Sequence, residues 1–90
     1  MECEWDPAKA RPNRRKHGVT FEEAATGLAD DLAVTATDPG HSRGESRFIT
    51  FGESSAGRLL VVAHAERRDR SRIISARPAM KGERRIYEEA

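Results

Sequence analysis

With 90 residues against about 100 to 200 for a typical domain, the chain has room for a single small domain over 1–90 and none for a second domain carrying its own cofactor fold. Hydrophobic residues make up 37% and charged residues 34%, so the core is small and folding hides only about 60% of the unfolded chain's surface. The formal net charge of +1 conceals a bias, because thirteen of the sixteen bases are arginine, which stays charged at any working pH and grips phosphate or carboxylate in a two-pronged fashion.

Cys3-Glu4-Trp5 reads as a short extended stretch, and Asp6-Pro7 supplies a cap followed by a residue suited to a first helical turn, so a helix is expected from Pro7 to near His17. Gly18 suits the left-handed position after that helix. Pro12 predicts a kink or short break, since it has no N–H to offer and crowds the carbonyl of Ala8. Thr20-Phe21-Glu22-Glu23 has the form of a capping box, with Glu23 reaching back to Thr20, and opens a second helix to about Leu28. Strands are expected over Leu32–Thr37, Glu45–Gly52, Arg58–Ala65 and Arg70–Arg77, with turns at Asp38-Pro39-Gly40 and over 53–57. The unbroken apolar run from Leu59 to Ala63 marks a strand buried on both faces, central in an antiparallel sheet. Pro78 should break the last strand, leaving Ala79 to Glu89 as a closing helix whose apolar contacts are Met80, Ile86 and Tyr87. The expected class is α+β, an antiparallel β-sheet with two N-terminal helices and one C-terminal helix.

One cysteine, Cys3, excludes an internal disulfide framework and a Cys-rich zinc site, and a reducing, cytoplasmic setting is expected. No run approaches the ~18 apolar residues of a membrane span, and the first ten residues lack the basic-then-apolar pattern of a signal peptide. His17, His41 and His64 are too dispersed for a local metal motif, so no metal or cofactor is expected and chemistry would run on side chains. Charge is segmented: residues 9–17 carry +5, residues 20–57 carry −5 and residues 67–85 carry +6. A fold that joins the two basic segments would make one anion-binding surface.

The string Trp5-Asp6-Pro7-x-Lys9, then Asn13-x-x-Lys16-His17-Gly18-Val19-x-Phe21-Glu22-Glu23-Ala24, resembles the opening signature of the BrnT family of toxins. The second half is similar to the same family: Glu45-x-Arg47, Gly52, Arg58-Leu59-Leu60-Val61-Val62, Glu66-Arg67, and Arg72-Ile73-Ile74-Ser75-Ala76-Arg77-x-Ala79 with Glu83 and Tyr87. Departures from the usual pattern fall at Pro12, Arg14, Gly27 to Asp31 and Pro78. The resemblance implies a RelE-like fold and a ribonuclease toxin that stops translation. It also implies an antitoxin partner with a ribbon-helix-helix DNA-binding part, through which alone the complex would reach DNA, while RNA would be the toxin's own substrate.

Cutting RNA without a metal requires taking a proton from a 2'-hydroxyl, stabilising charge on the attacked phosphate and protonating the leaving 5'-oxygen. Arg47, Arg67 and Arg72 are the candidates for charge stabilisation, and Lys16 and Glu22 for proton transfer or its orientation, with Lys16 resting largely on the resemblance. Arg15, His17, His64 and Arg77 are candidates for holding RNA. Strand alternation puts Arg72 and Arg77 on opposite faces unless a bulge intervenes, so one of them would be free to anchor a helix end. Glu23 is assigned to capping, and Trp5 and Phe21 to the core. The competing reading is a non-catalytic binding module whose arginines grip nucleic acid or an acidic partner.

Overall fold

The computed structural model of the protein describes residues 2–38 and 46–90. Its elements run β1 (Glu2–Trp5), α1 (Pro7–His17), α2 (Phe21–Leu28), β2 (Val34–Thr37), β3 (Ser46–Glu53), β4 (Leu59–Arg67), β5 (Arg70–Pro78) and α3 (Arg84–Glu88). The five strands form one sheet in the order β1-β5-β4-β3-β2. As its apolar run requires, β4 is central, with Leu59 to Val62 all buried. The expected α+β class is what forms, with one exception to the antiparallel rule: β1 pairs parallel to β5. The first and last strands meet only after the intervening chain has crossed the sheet, so neither a hairpin nor antiparallel direction is imposed on them.

Helices α1 and α2 cover one face. Val19, Phe21, Ala24 and Leu28 pack there against Leu60 and Val62 of β4 and Ile73 and Ala76 of β5, and Trp5 meets Phe21 edge-on with ring centroids 6.1 Å apart. Both aromatic residues therefore belong to the core. α2 comes close enough to β3 for backbone to touch backbone: a Cβ on Gly52 would fall inside contact distance of the Gly27 carbonyl oxygen. Two glycines opposite each other are what that approach needs.

Several local expectations change. α1 runs unbroken through Pro12. It begins on the Asp6 side chain, which accepts from the Ala8 N–H, and ends on Gly18 at φ +70°. Thr20 caps α2 by accepting from the Glu23 N–H, but the Glu23 carboxylate does not complete a capping box. It accepts instead from Ser54 Oγ at 2.7 Å and forms a forked pair with Arg58. The guanidinium of the residue just before β4 outcompetes one backbone N–H for that carboxylate. Leu32 lies outside β2 and is 72% exposed. Pairing continues to Pro78, opposite Leu60, so Pro78 closes β5 without shortening it. α3 is only one turn long, and Met80 precedes it at 63% exposure. Pro39, Gly40 and Glu45, expected in a turn and at a strand start, lie outside the described residues.

β1 stops at the pair Trp5 and Ile73, leaving residues 74–78 of β5 without a strand on that side. Asn13 of α1 takes its place. Its Nδ2 donates to Ala76 O at 2.9 Å and to Val19 O at 3.0 Å, and its Oδ1 accepts from the Ala76 N–H at 3.0 Å. This one buried side chain satisfies backbone groups that would otherwise lie orphaned between helix and sheet.

Candidate nucleic-acid interface

Three groups of polar residues stand out. The first lies on the sheet face that α1 and α2 leave uncovered. Arg47 of β3 and Arg72 of β5 both pair in register with Ala65 of β4. Side chains alternate along a strand, so the two arginines flank Ala65 on one face, two strand spacings or about 10 Å apart at the backbone. Both are half-buried, and among the described residues neither is committed to a carboxylate. Arg67 ends β4 two pairs further along, opposite Arg70. Arg70 is held by Glu2 and Glu4 of β1 at 3.5 and 3.3 Å, exposed contacts of small energetic worth.

The alternation that would send Arg72 and Arg77 to opposite faces is broken by a bulge. Ala63 pairs with Ser75 and His64 with Ile73, so Ile74 is the extra residue, and Arg77 returns to the face that Arg72 occupies. Arg77 is engaged there: both of its terminal nitrogens pair with Glu83 at 2.7 Å. Glu83 also accepts from the Met80 N–H, which pins the turn leading into α3. The Arg77 guanidinium, as the main cause, holds the Glu83 carboxyl at a pKa of about 2.

The second group follows α1. Lys16 and His17, with Lys9 two turns earlier on the same helix face, border an open groove of about 300 Å³ whose far side is Ile74 and Ser75. The bulged residue of β5 thus forms one wall, and Ser75, paired with Ala63, connects the groove to the uncovered face. Arg15 borders a neighbouring depression with Arg11 and Pro12. Glu22 is not brought to Lys16: it lies with Arg11 and Arg14 in a separate cleft between α1 and α2. Arg14 and Lys16 are two residues apart on a helix and point in nearly opposite directions, so a carboxylate beside one is remote from the other.

The third group is on the helix-covered face, beyond the end of α2. His64 is buried, and both ring nitrogens are bonded: Nε2 to Thr50 Oγ1 at 2.7 Å and Nδ1 to Glu66 Oε2 at 2.6 Å. Glu66 Oε2 also accepts from Ser71 Oγ at 2.7 Å, and Thr50 Oγ1 lies 2.8 Å from Thr35 Oγ1. An ionised carboxylate only accepts, which fixes the proton on His64 Nδ1. In the neutral ring Nε2 then accepts from the Thr50 hydroxyl. His64 is therefore on the opposite side of the sheet from Arg47 and Arg72.

Sequence reasoning left Thr50, Ser71 and Asn13 without a role and treated Glu66 and Arg58 only as parts of strings. His64-x-Glu66 on a strand carried a usable signal, because residues two apart share a face. Arg58, whose Nη2 also donates to Gly18 O at 3.0 Å, carried none, since its partners come from two distant helices.

A model of the family described as ribonuclease toxin, BrnT, of type II toxin-antitoxin system matches residues 5–83. A search of curated proteins gives no match. Among solved structures, the 1.1 Å crystal structure of the Brucella abortus ribonuclease toxin BrnT is similar in fold, with a TM-score of 0.64 and 21% identity over 90% of this chain and 99% of that one. A family match spanning nearly the whole described fold, from Trp5 in β1 to Glu83 beside Arg77, carries the assignment: the chain belongs to the BrnT family of ribonuclease toxins of type II toxin-antitoxin systems.

Proposed function

We propose that this protein is an endoribonuclease that cuts RNA without a metal ion, with the RNA backbone held across the uncovered sheet face. The observation that supports the reading is the placement of Arg47 and Arg72 on either side of Ala65. Two guanidinium groups rooted in the strands on either side of β4 are suited to the charge that builds on an attacked phosphate. Arg67 extends the cationic track along β4. Lys16 and His17 approach it from α1 across Ser75, and Arg15 adds charge behind them. Lys16 and Glu22 serve the reaction separately, because they border different clefts.

The resemblance that supplies translation arrest and a ribbon-helix-helix antitoxin fits an uncovered, arginine-bearing face, which a partner silences by covering it with carboxylates or apolar anchors. Met80 and Ile86, at 63% and 46% exposure, offer apolar contacts beside it. The test is cleavage of purified RNA by the purified protein in the presence of a chelating agent, with and without the co-expressed partner. Cleavage that survives the chelator and stops on adding the partner is the expected result. Cleavage abolished by the chelator and restored by a divalent ion contradicts the metal-free reaction, and a partner that fails to co-purify contradicts the mode of silencing.

A further inference from the structure

We infer that the pocket beside His64 is a recognition site for a single RNA base, and that guanine is the base it selects. The pocket opens on the helix-covered face where β3 and β4 run past the last residue of α2, and it is lined by Leu28, Thr35, Phe48, Thr50, His64 and Glu66. Its volume is about 200 Å³, below the ~300 to 1,000 Å³ of sites for drug-sized ligands, which suits one ring system. Two walls are apolar. The Phe48 ring lies nearly parallel to the imidazole of His64, at 28° with centroids 6.0 Å apart, which braces it as a stacking surface.

Among the described residues the polar lining carries no lysine or arginine, in contrast with the groove under Lys16, and offers a base edge more than a phosphate. Its charged group is Glu66, whose side chain is 37% exposed. One oxygen of that carboxylate is fixed by two donors, His64 Nδ1 and Ser71 Oγ, and His64 is itself fixed through Thr50. His64 is thereby a positioning residue, and the carboxylate is oriented before any ligand arrives. A carboxylate accepts only, so it selects a ring edge rich in N–H. Of the four RNA bases, guanine alone presents two adjacent N–H donors, at N1 and N2, on its pairing edge. The choice of a nucleobase over some other planar N–H donor rests on the ribonuclease reading above.

Mononucleotides test this without any cleavage. The isotope-labelled full chain is titrated in turn with the 5'-monophosphates of guanosine, adenosine, cytidine and uridine, following the NMR signals of Phe48, Thr50 and His64. All four share the phosphate, so differences report the base. Loss of one of the two hydrogen bonds to a charged acceptor predicts that guanosine monophosphate binds about tenfold tighter or more than the other three, each of which offers a single N–H donor on that edge. Glu66→Gln should erase that preference. Phe48→Leu keeps apolar bulk but removes the stacking face, and should weaken every nucleotide alike. If Glu66→Gln does not fold, the ranking by the parent protein and by Phe48→Leu decides. Equal binding of the four bases, or shifts confined to the groove under Lys16, overturns the inference. So does saturation by guanidinium with no nucleotide bound, which would mark a site for a partner's arginine. A negative result leaves the ribonuclease reading standing, whereas a protein that ranks guanine first but cuts no RNA fails that reading and not this one.

Discussion

Asn13 closes three hydrogen bonds to backbone groups of Ala76 and Val19 in a buried position, standing in for the strand that β1 is too short to provide. Replacing it with alanine leaves a buried N–H and two carbonyls unsatisfied, each such group costing about 1–3 kcal/mol. Asn13→Ala should therefore destabilise by about 3 kcal/mol, read as a fall in the urea midpoint. Asn13→Asp should also destabilise, since it loses both donations. At Glu83 and Glu23 the argument becomes one of pH. Hydrogen bonds from Arg77 hold Glu83 at about 2, and those from Arg58 lower Glu23. Each pair then contributes its full stability above the ordinary carboxylate value of 4.5 and loses it as pH falls toward the folded value, between about 4.5 and 2 for Glu83. Urea midpoints measured across that window should fall with acid, and Glu83→Gln should flatten the fall. A midpoint as acid-sensitive in Glu83→Gln as in the parent would contradict this. Glu23 shows what a sequence hides at this scale. Its spacing from Thr20 is that of a capping box, but Arg58 lies 35 residues away and wins the carboxylate.

Among the elements, those with strong local signals were legible: the caps at Asp6 and Thr20, the Gly18 stop, and the two-sided burial of β4 all follow from residues within a few positions of one another. What was not legible depends on distant pairing. The parallel match of β1 to β5 and the bulge at Ile74 are set by partners 60 or more and about 10 residues away, and periodicity within one strand cannot register either. The closing helix is shorter than its composition suggests because Glu83 is drawn to Arg77 and holds residues 80–83 in a turn. The contact of α2 with β3 gives a prediction for this scale. Gly52→Ala puts a methyl group against the Gly27 backbone, which no side-chain rotation relieves, and overpacking of this kind costs about 1–3 kcal/mol. The melting temperature should drop accordingly, whereas Gly57→Ala, at φ +80° but in open space, should cost only the strain of its conformation.

For the molecule as a whole, the candidate functional residues are divided between two faces of one sheet. The helix-covered side carries the core and the His64 network, and the uncovered side carries Arg47 and Arg72. The sequence disclosed the basic segments and the family but not this division, because the pairing register that joins Arg47 to Arg72 through Ala65 has no trace in either segment alone. The central claim is that these two arginines act together on the RNA backbone. It is tested most directly by the cleavage rate of purified Arg47→Ala and Arg72→Ala proteins on one RNA substrate, each matched for melting temperature with the parent. Loss of a rigid cation that meets transition-state charge should lower the rate about 100-fold or more in each. The double variant should fall little below the worse single one, as for residues working as a unit. Folded single variants that cleave as fast as the parent would contradict the claim.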